Sequence, residues 1–111
     1  STFILSYWYR ETGTFTIEEA VEKMTSGPAK VLGLNDRGVL SVGMKADVNV
    51  FDADEVCELQ PTLVHDFPNG APRFIQKSRG FKATIVNGAV SVRNGELTGT
   101  RAGEVLRHEQ G

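Results

Sequence analysis

Apolar and polar positions repeat with two different periods along this chain, and the change comes in one stretch, Gly33 to Asp52. It reads GLNDRGVLSVGMKADVNVFD and holds two turn signals, Asp36-Arg37-Gly38 and Val42-Gly43-Met44-Lys45. After them Val48, Val50 and, more loosely, Ala46 point one way while Asp47, Asn49 and Phe51 point the other, the period of a strand. Upstream the period is helical. Ile17, Ala20, Val21 and Met24 fall on one stripe. Thr16-Ile17-Glu18-Glu19 before them forms a capping box, in which the Thr16 hydroxyl and the Glu19 carboxylate satisfy each other's amides. Glu18 and Glu19 also suit the positive end of the helix dipole. Ser26-Gly27-Pro28 stops this helix and starts another, with Pro28 at the first helical position, Gly33 as the cap, and Val31 and Leu32 as the apolar face.

Phe3 to Tyr9 holds six large apolar or aromatic residues in seven positions and fits both periods. Phe3 with Tyr7, or Ile4 with Trp8, pair at helical spacing, whereas Phe3, Leu5, Tyr7 and Tyr9 would share one strand face. Propensity alone favours the strand. Either way the segment suits a core or an interface; only Arg10 is near it, too little basic charge for an aromatic nucleic-acid platform.

Downstream of Asp52 the pattern is β. From Asp54 to Pro72 the chain is expected to be irregular, because Pro61, Pro68, Pro72 and Asn69-Gly70 interrupt any continuous helix or central strand. Loops of that length are usually functional or covered. Phe74-Ile75-Gln76 reads as a short strand and Lys82 to Val86 as a longer one. Asn87-Gly88 is a type I′ hairpin signal leading into Ala89 to Arg93, and Asn94-Gly95 turns the chain again toward Glu96-Leu97-Thr98. Thr98 to Gly111 has few apolar residues and is expected to fray. The fold class that follows is mainly β with N-terminal helices.

Composition narrows function mostly by exclusion. The 111 residues have room for one domain, and a net charge of −2 leaves no electrostatic footprint for nucleic acid or an anionic membrane. No apolar run approaches the roughly 20 residues of a membrane span. Cys57 is alone and reads as a reduced thiol of a cytoplasmic protein. The start at Ser1, running straight into Phe3-Ile4-Leu5, suggests a cut or processed piece. A hydrolytic metal site needs three or four converging His, Cys, Asp or Glu side chains. His65, His108 and Cys57 have no such spacing; His65 sits in the Pro-rich loop beside Asp66, and His108 in the tail, expected to be solvated. Glu18 and Glu19 cap a helix, and Asp52 and Asp54 follow a strand, so neither pair forms an acid–base couple. No catalytic, cofactor-binding or metal-ligating residue is assigned.

Several residues do carry a resemblance. Pro28-Ala29, Gly33-Leu34, Gly38, Leu40 and Gly43-Met44-Lys45-Ala46-Asp47-Val48-Asn49-Val50-Phe51-Asp52 resemble the C-terminal return segment of the amidohydrolase superfamily. Thr16 to Thr25, His65-Asp66-Phe67-Pro68, Gly70-Ala71-Pro72-Arg73, Gln76, Arg79-Gly80, Ala83 to Gly88 and Gly95 to Gly99 narrow it to the N-acyl-D-amino-acid deacylase branch. The resemblance implies a (β/α)8 barrel with one or two metal ions, zinc being expected, whose ligands would all lie upstream of Ser1. It favours the helical state for residues 3–9. It also implies that this chain, lacking the barrel, is the C-terminal part of a small composite β-sandwich. Residues 1–33 would then finish the barrel's helical layer and residues 34–111 would supply most of the sandwich. The expected partners are the missing barrel and N-terminal strands, with self-association of the isolated chain in their absence. The rival readings are a stand-alone β-rich interaction module and a small subunit paired with a separate barrel. Whether His65 or Arg73, in the long loop, approaches the missing active site stays open.

Overall fold

A computed structural model describes residues 2–107; the expectation for His108 lies outside the described residues. Three helical segments come first, then eight short strands. The segment that fitted two periods is helical. Ile4–Glu11 winds as a π-helix, closing with the Thr12 N–H donating to the Tyr7 carbonyl at 2.9 Å. Strand propensity loses here because a helix buries one stripe on a neighbour, and Leu5 meets Ala20 and Val56 in the core. The guanidinium of Arg10 then pins the helix, one nitrogen donating to the carbonyls of Ala53, Asp54 and Val56 at 3.3, 3.0 and 2.7 Å.

Helix α1, Ile17–Met24, has the expected capping box: the Glu19 amide donates to the Thr16 hydroxyl at 3.2 Å and the Thr16 amide to the Glu19 carboxylate at 3.3 Å. Helix α2 is Ser26–Leu32, so Pro28 is its third residue rather than its first. It is still inside the first turn, where its missing N–H forfeits no intrahelical bond. Gly33 caps α2 in the left-handed region, as expected. The apolar face of α2 differs from expectation: Ala29 is buried, whereas Val31 is 87% exposed and Leu32 also faces solvent.

Strands β1 (Val48–Phe51), β6 (Phe81–Val86), β7 (Ala89–Arg93) and β8 (Glu96–Leu97) form one antiparallel sheet in the order β1-β6-β7-β8. Both Asn-Gly pairs turn as predicted, with positive φ at Asn87 and Gly88 and at Asn94 and Gly95. The pairing of β1 with β6 is not regular to its end. Its register slips between Val50 and Phe51, so Phe51 faces Phe81 and Lys82 is left unpaired, a bulge that swings the two rings to 6.0 Å. Phe51 therefore packs on the helical core while Val50 is 45% exposed.

The stretch from Asp54 to Pro72 is more regular than expected. It contains β2 (Cys57–Glu58), β3 (Thr62–Val64) and a 3₁₀ turn at Pro68–Gly70. Strand β2 pairs with β5 (Ser78–Arg79) and β3 with β4 (Arg73–Ile75). The prolines sit where they forfeit no ladder bond: Pro61 before β3, Pro68 opening the 3₁₀ turn, Pro72 before β4. Val56 in this stretch is 0% exposed. The described part of the tail is held to the sheet rather than frayed throughout. The Thr98 N–H donates to the Ser91 carbonyl at 2.9 Å, and the Asn87 side-chain Nδ2 donates to the Ala102 carbonyl at 2.7 Å.

The described residues thus make a β-rich fold with a few helices and no closed barrel. Its core is thin. Leu5 and Val56 are the largest fully buried side chains. A monomer of 12.1 kDa is expected to expose about 6,000 Å², yet this chain exposes 8527 Å². Its radius of gyration, 16.2 Å, likewise exceeds the ~13 Å of a compact chain this long.

Candidate functional site

Three places gather polar or apolar side chains that function could use. The first is built around Arg37. Its guanidinium donates to Asp47 and to Asp36, both at 2.9 Å, and approaches Glu104 in the tail at 3.9 Å. Asp47 in turn accepts from the Asn87 N–H at 2.9 Å, and the Gly88 N–H donates to the Ala46 carbonyl at 2.9 Å. The loop before β1, the β6–β7 hairpin and the tail are joined here through one cation. The Asn87 amide holds the Asp47 carboxyl below the usual carboxylate range, with Arg37 adding to the effect. Every charge is answered by a protein partner, so this node can brace but leaves no free acid, base or nucleophile.

The second is the arm formed by β3 and β4. Arg73 bridges Asp66 through two nitrogens and lies over the Phe67 ring at 5.3 Å, while His65 Nδ1 is 3.1 Å from the Gly70 carbonyl oxygen. Arg73 holds the Asp66 carboxyl below its ordinary range. Leu63 faces Phe74 across the arm, and Phe74 is 72% exposed. The two residues whose approach to an active site was left open are therefore together on this arm. Their polar groups are turned inward to brace the arm's turn. Cys57 lies apart, half-buried on β2 opposite Arg79.

The third is an apolar cleft of about 380 Å³ between the helices and the sheet. Leu5, Val21 and Met24 form its helical wall, Val39 and Leu40 overhang it, and Val48, Asn49 and Phe51 form its floor. That floor is the edge of the sheet, because β1 pairs with β6 on one side and, among the described residues, with no strand on the other. An exposed edge beside an apolar cleft is a receptor for an extended segment, which adds backbone hydrogen bonds and drops alternate side chains into the cleft.

Residues 2–92 match the amidohydrolase family. The chain belongs to that family. N-acyl-D-glutamate deacylase of Alcaligenes xylosoxydans xylosoxydans is 41% identical over 108 residues, which cover 97% of this chain and 20% of the relative. D-aminoacylase of the same organism is 35% identical over 103 residues, 93% of this chain and 19% of the relative. A crystal structure of D-aminoacylase superposes with a TM-score of 0.76 at 34% identity, covering 96% of this chain and 21% of that one. A further D-aminoacylase structure, with the same figures, is described as having a binuclear metal centre. The chain thus spans about a fifth of the length of the relatives it matches.

Within this amidohydrolase segment, the motifs that carry the family likeness meet in space. Asp36-Arg37-Gly38, Ala46-Asp47 and Asn87-Gly88 are far apart in sequence and converge at the Arg37 node. A metal centre finds no ligand set here: among the described residues no three His, Cys, Asp or Glu side chains converge to hold an ion. Among the described residues no helix is long and apolar enough to cross a membrane. Sequence reasoning missed Arg10 and the bracing role of Arg37. The Asp-Arg-Gly turn followed ten residues later by Asp47 was the signal for Arg37; nothing local to Arg10 announces three carbonyls that arrive from residues 53–56.

Proposed function

We propose that this chain is a non-catalytic, C-terminal part of a metal-dependent amidohydrolase acting on the amide bond of N-acyl-D-amino acids. Its work is to brace and cover the portion that carries the metal. The observation that carries this reading is the surplus surface: the chain exposes roughly 2,500 Å² beyond a self-sufficient monomer of its mass. That is the scale of an obligate interface. The names and lengths of the deacylase relatives support the substrate class and the size of what is missing. In this reading residues 1–33 complete the helical layer of a (β/α)8 barrel and residues 34–111 supply most of a composite β-sandwich. The unpaired edge of β1 and its cleft receive strands from the remainder of the enzyme. Zinc belongs to the remainder, and the lone Cys57 suits a cytoplasmic enzyme.

Co-expression tests it. The N-acyl-D-glutamate deacylase relative is produced without the segment that matches this chain, with and without this chain supplied separately. The expected result is hydrolysis of N-acyl-D-glutamate, and stoichiometric zinc, only when both pieces are present. Hydrolysis by this chain alone, or failure of the pieces to associate, overturns the reading and favours a stand-alone module.

A further inference from the structure

We propose that in the absence of the remainder the chain pairs with a second copy of itself, β1 against β1 about a two-fold axis. This rests on the preceding reading that the chain lacks its covering layer. Antiparallel pairing of Val48–Phe51 with itself, with the axis at Val50, sets Val50 opposite Val50 of the second copy and Asn49 opposite Phe51. None of these four residues is charged, so the edge has none of the lysine or proline that ordinarily blocks edge-to-edge association. The flanking Asp47 is already answered by Arg37.

With the axis normal to the sheet, both helical layers fall on the same side and the two clefts face each other. The overhanging side chains then have a place to go. Leu40 is 77% exposed and Val39 is exposed beside it, both at the rim of the cleft, and each copy offers them to the other's opening. The roughly 2,500 Å² of surplus surface exceeds the ~800 Å² per partner that a stable pair needs. The aromatic N-terminal segment is the weaker surface. Phe3 stacks on Tyr7 at 4.9 Å and Tyr7 meets Trp8 edge-on at 5.0 Å, so these rings cover one another in part, leaving them 47%, 37% and 39% exposed, and they offer no unpaired backbone edge. The opposite edge of the sheet, β8, is two residues long and carries Glu96.

Sedimentation velocity of the isolated chain over a concentration series tests the pairing, with hydrogen exchange at low and high concentration. The expected result is a monomer–dimer equilibrium, with amide protection rising at Val48–Phe51 as the dimer forms. Val50→Lys places a cation next to its own copy across the axis and weakens the dimer about tenfold or more. Phe3→Ser and Trp8→Ser leave it intact. Because Val50 is half exposed, the Lys variant keeps the melting transition of the monomer; if it does not fold, the exchange pattern of the unsubstituted chain decides. A strictly monomeric chain, an open-ended series of oligomers, protection confined to residues 3–15, or a dimer indifferent to Val50→Lys each overturns the pairing. A monomer that nevertheless complements the truncated deacylase sinks this inference alone, and a dimer without complementation sinks only the proposed function.

Discussion

Gly80 is the position where backbone and core are closest, and replacing it by alanine gives a graded test of the fold. A Cβ there would stand 2.5 Å from both the N and the Cα of Val56 and 2.9 Å from the carbonyl carbon of Glu55. All three are backbone atoms of the turn pinned by Arg10, so none can swing aside as a side-chain tip would. Gly80 also has φ +90°, outside the range that residues with a Cβ readily adopt. The backbone term costs about 1–3 kcal/mol and the overpacking term a further ~1–3 kcal/mol. Together they take a large share of the ~5–15 kcal/mol that holds a domain folded. Gly43 separates the two terms. It has nearly the same φ, +89°, but a Cβ there meets nothing within 4 Å. In urea, where m is about 1–3 kcal/mol/M, Gly43→Ala lowers the midpoint by roughly 1 M and Gly80→Ala by roughly 2 M or abolishes cooperative folding. The measurement is made at low micromolar concentration, so that pairing of copies does not add stability. Equal midpoints for the two variants would refute the close approach of Gly80 to Val56, and with it the placement of the β2–β5 ribbon against the core.

Two further outcomes follow from the hairpin and the Arg37 node. Gly88→Val strains the type I′ turn between β6 and β7 and costs on the order of 1–3 kcal/mol; an unchanged denaturation midpoint would show that the positive φ at residue 88 is wrong. Asp47 and Asp66 have carboxyls held below their ordinary range, so their folded forms bind protons less readily than their unfolded forms. Their stabilisation is present above the unfolded carboxylate pKa of about 4 and is lost as pH falls through the depressed folded values. Arg37→Met lowers the midpoint at pH 7 and reduces only Arg37's share of the Asp47 acid limb, the larger share from the Asn87 N–H remaining; a variant that keeps both the midpoint and the limb unchanged removes Arg37 from the node.

Local chemistry determined much of this chain without help. The capping box at Thr16, the stop at Gly33, the two Asn-Gly turns and the strands they join are all formed by residues within a few positions of one another. Their energies are settled by backbone geometry and near neighbours, so periodicity and turn chemistry reveal them. The family likeness marked the residues that meet at Arg37. What local pattern could not decide was decided by contacts across long separations. Phe3 to Tyr9 fits helix and strand alike, and Leu5 meeting Ala20 and Val56 selects the helix. The strands inside Asp54 to Pro72 are two and three residues long, too short to show a period, and exist because partners arrive at Arg73–Ile75 and Ser78–Arg79. Phe51 meets Phe81 because Lys82, on another strand, bulges out of register. The cleft beside β1 is no property of any one segment. It exists because the helices and the sheet edge stand apart there, and only tertiary structure sets the distance between elements that the chain itself does not join.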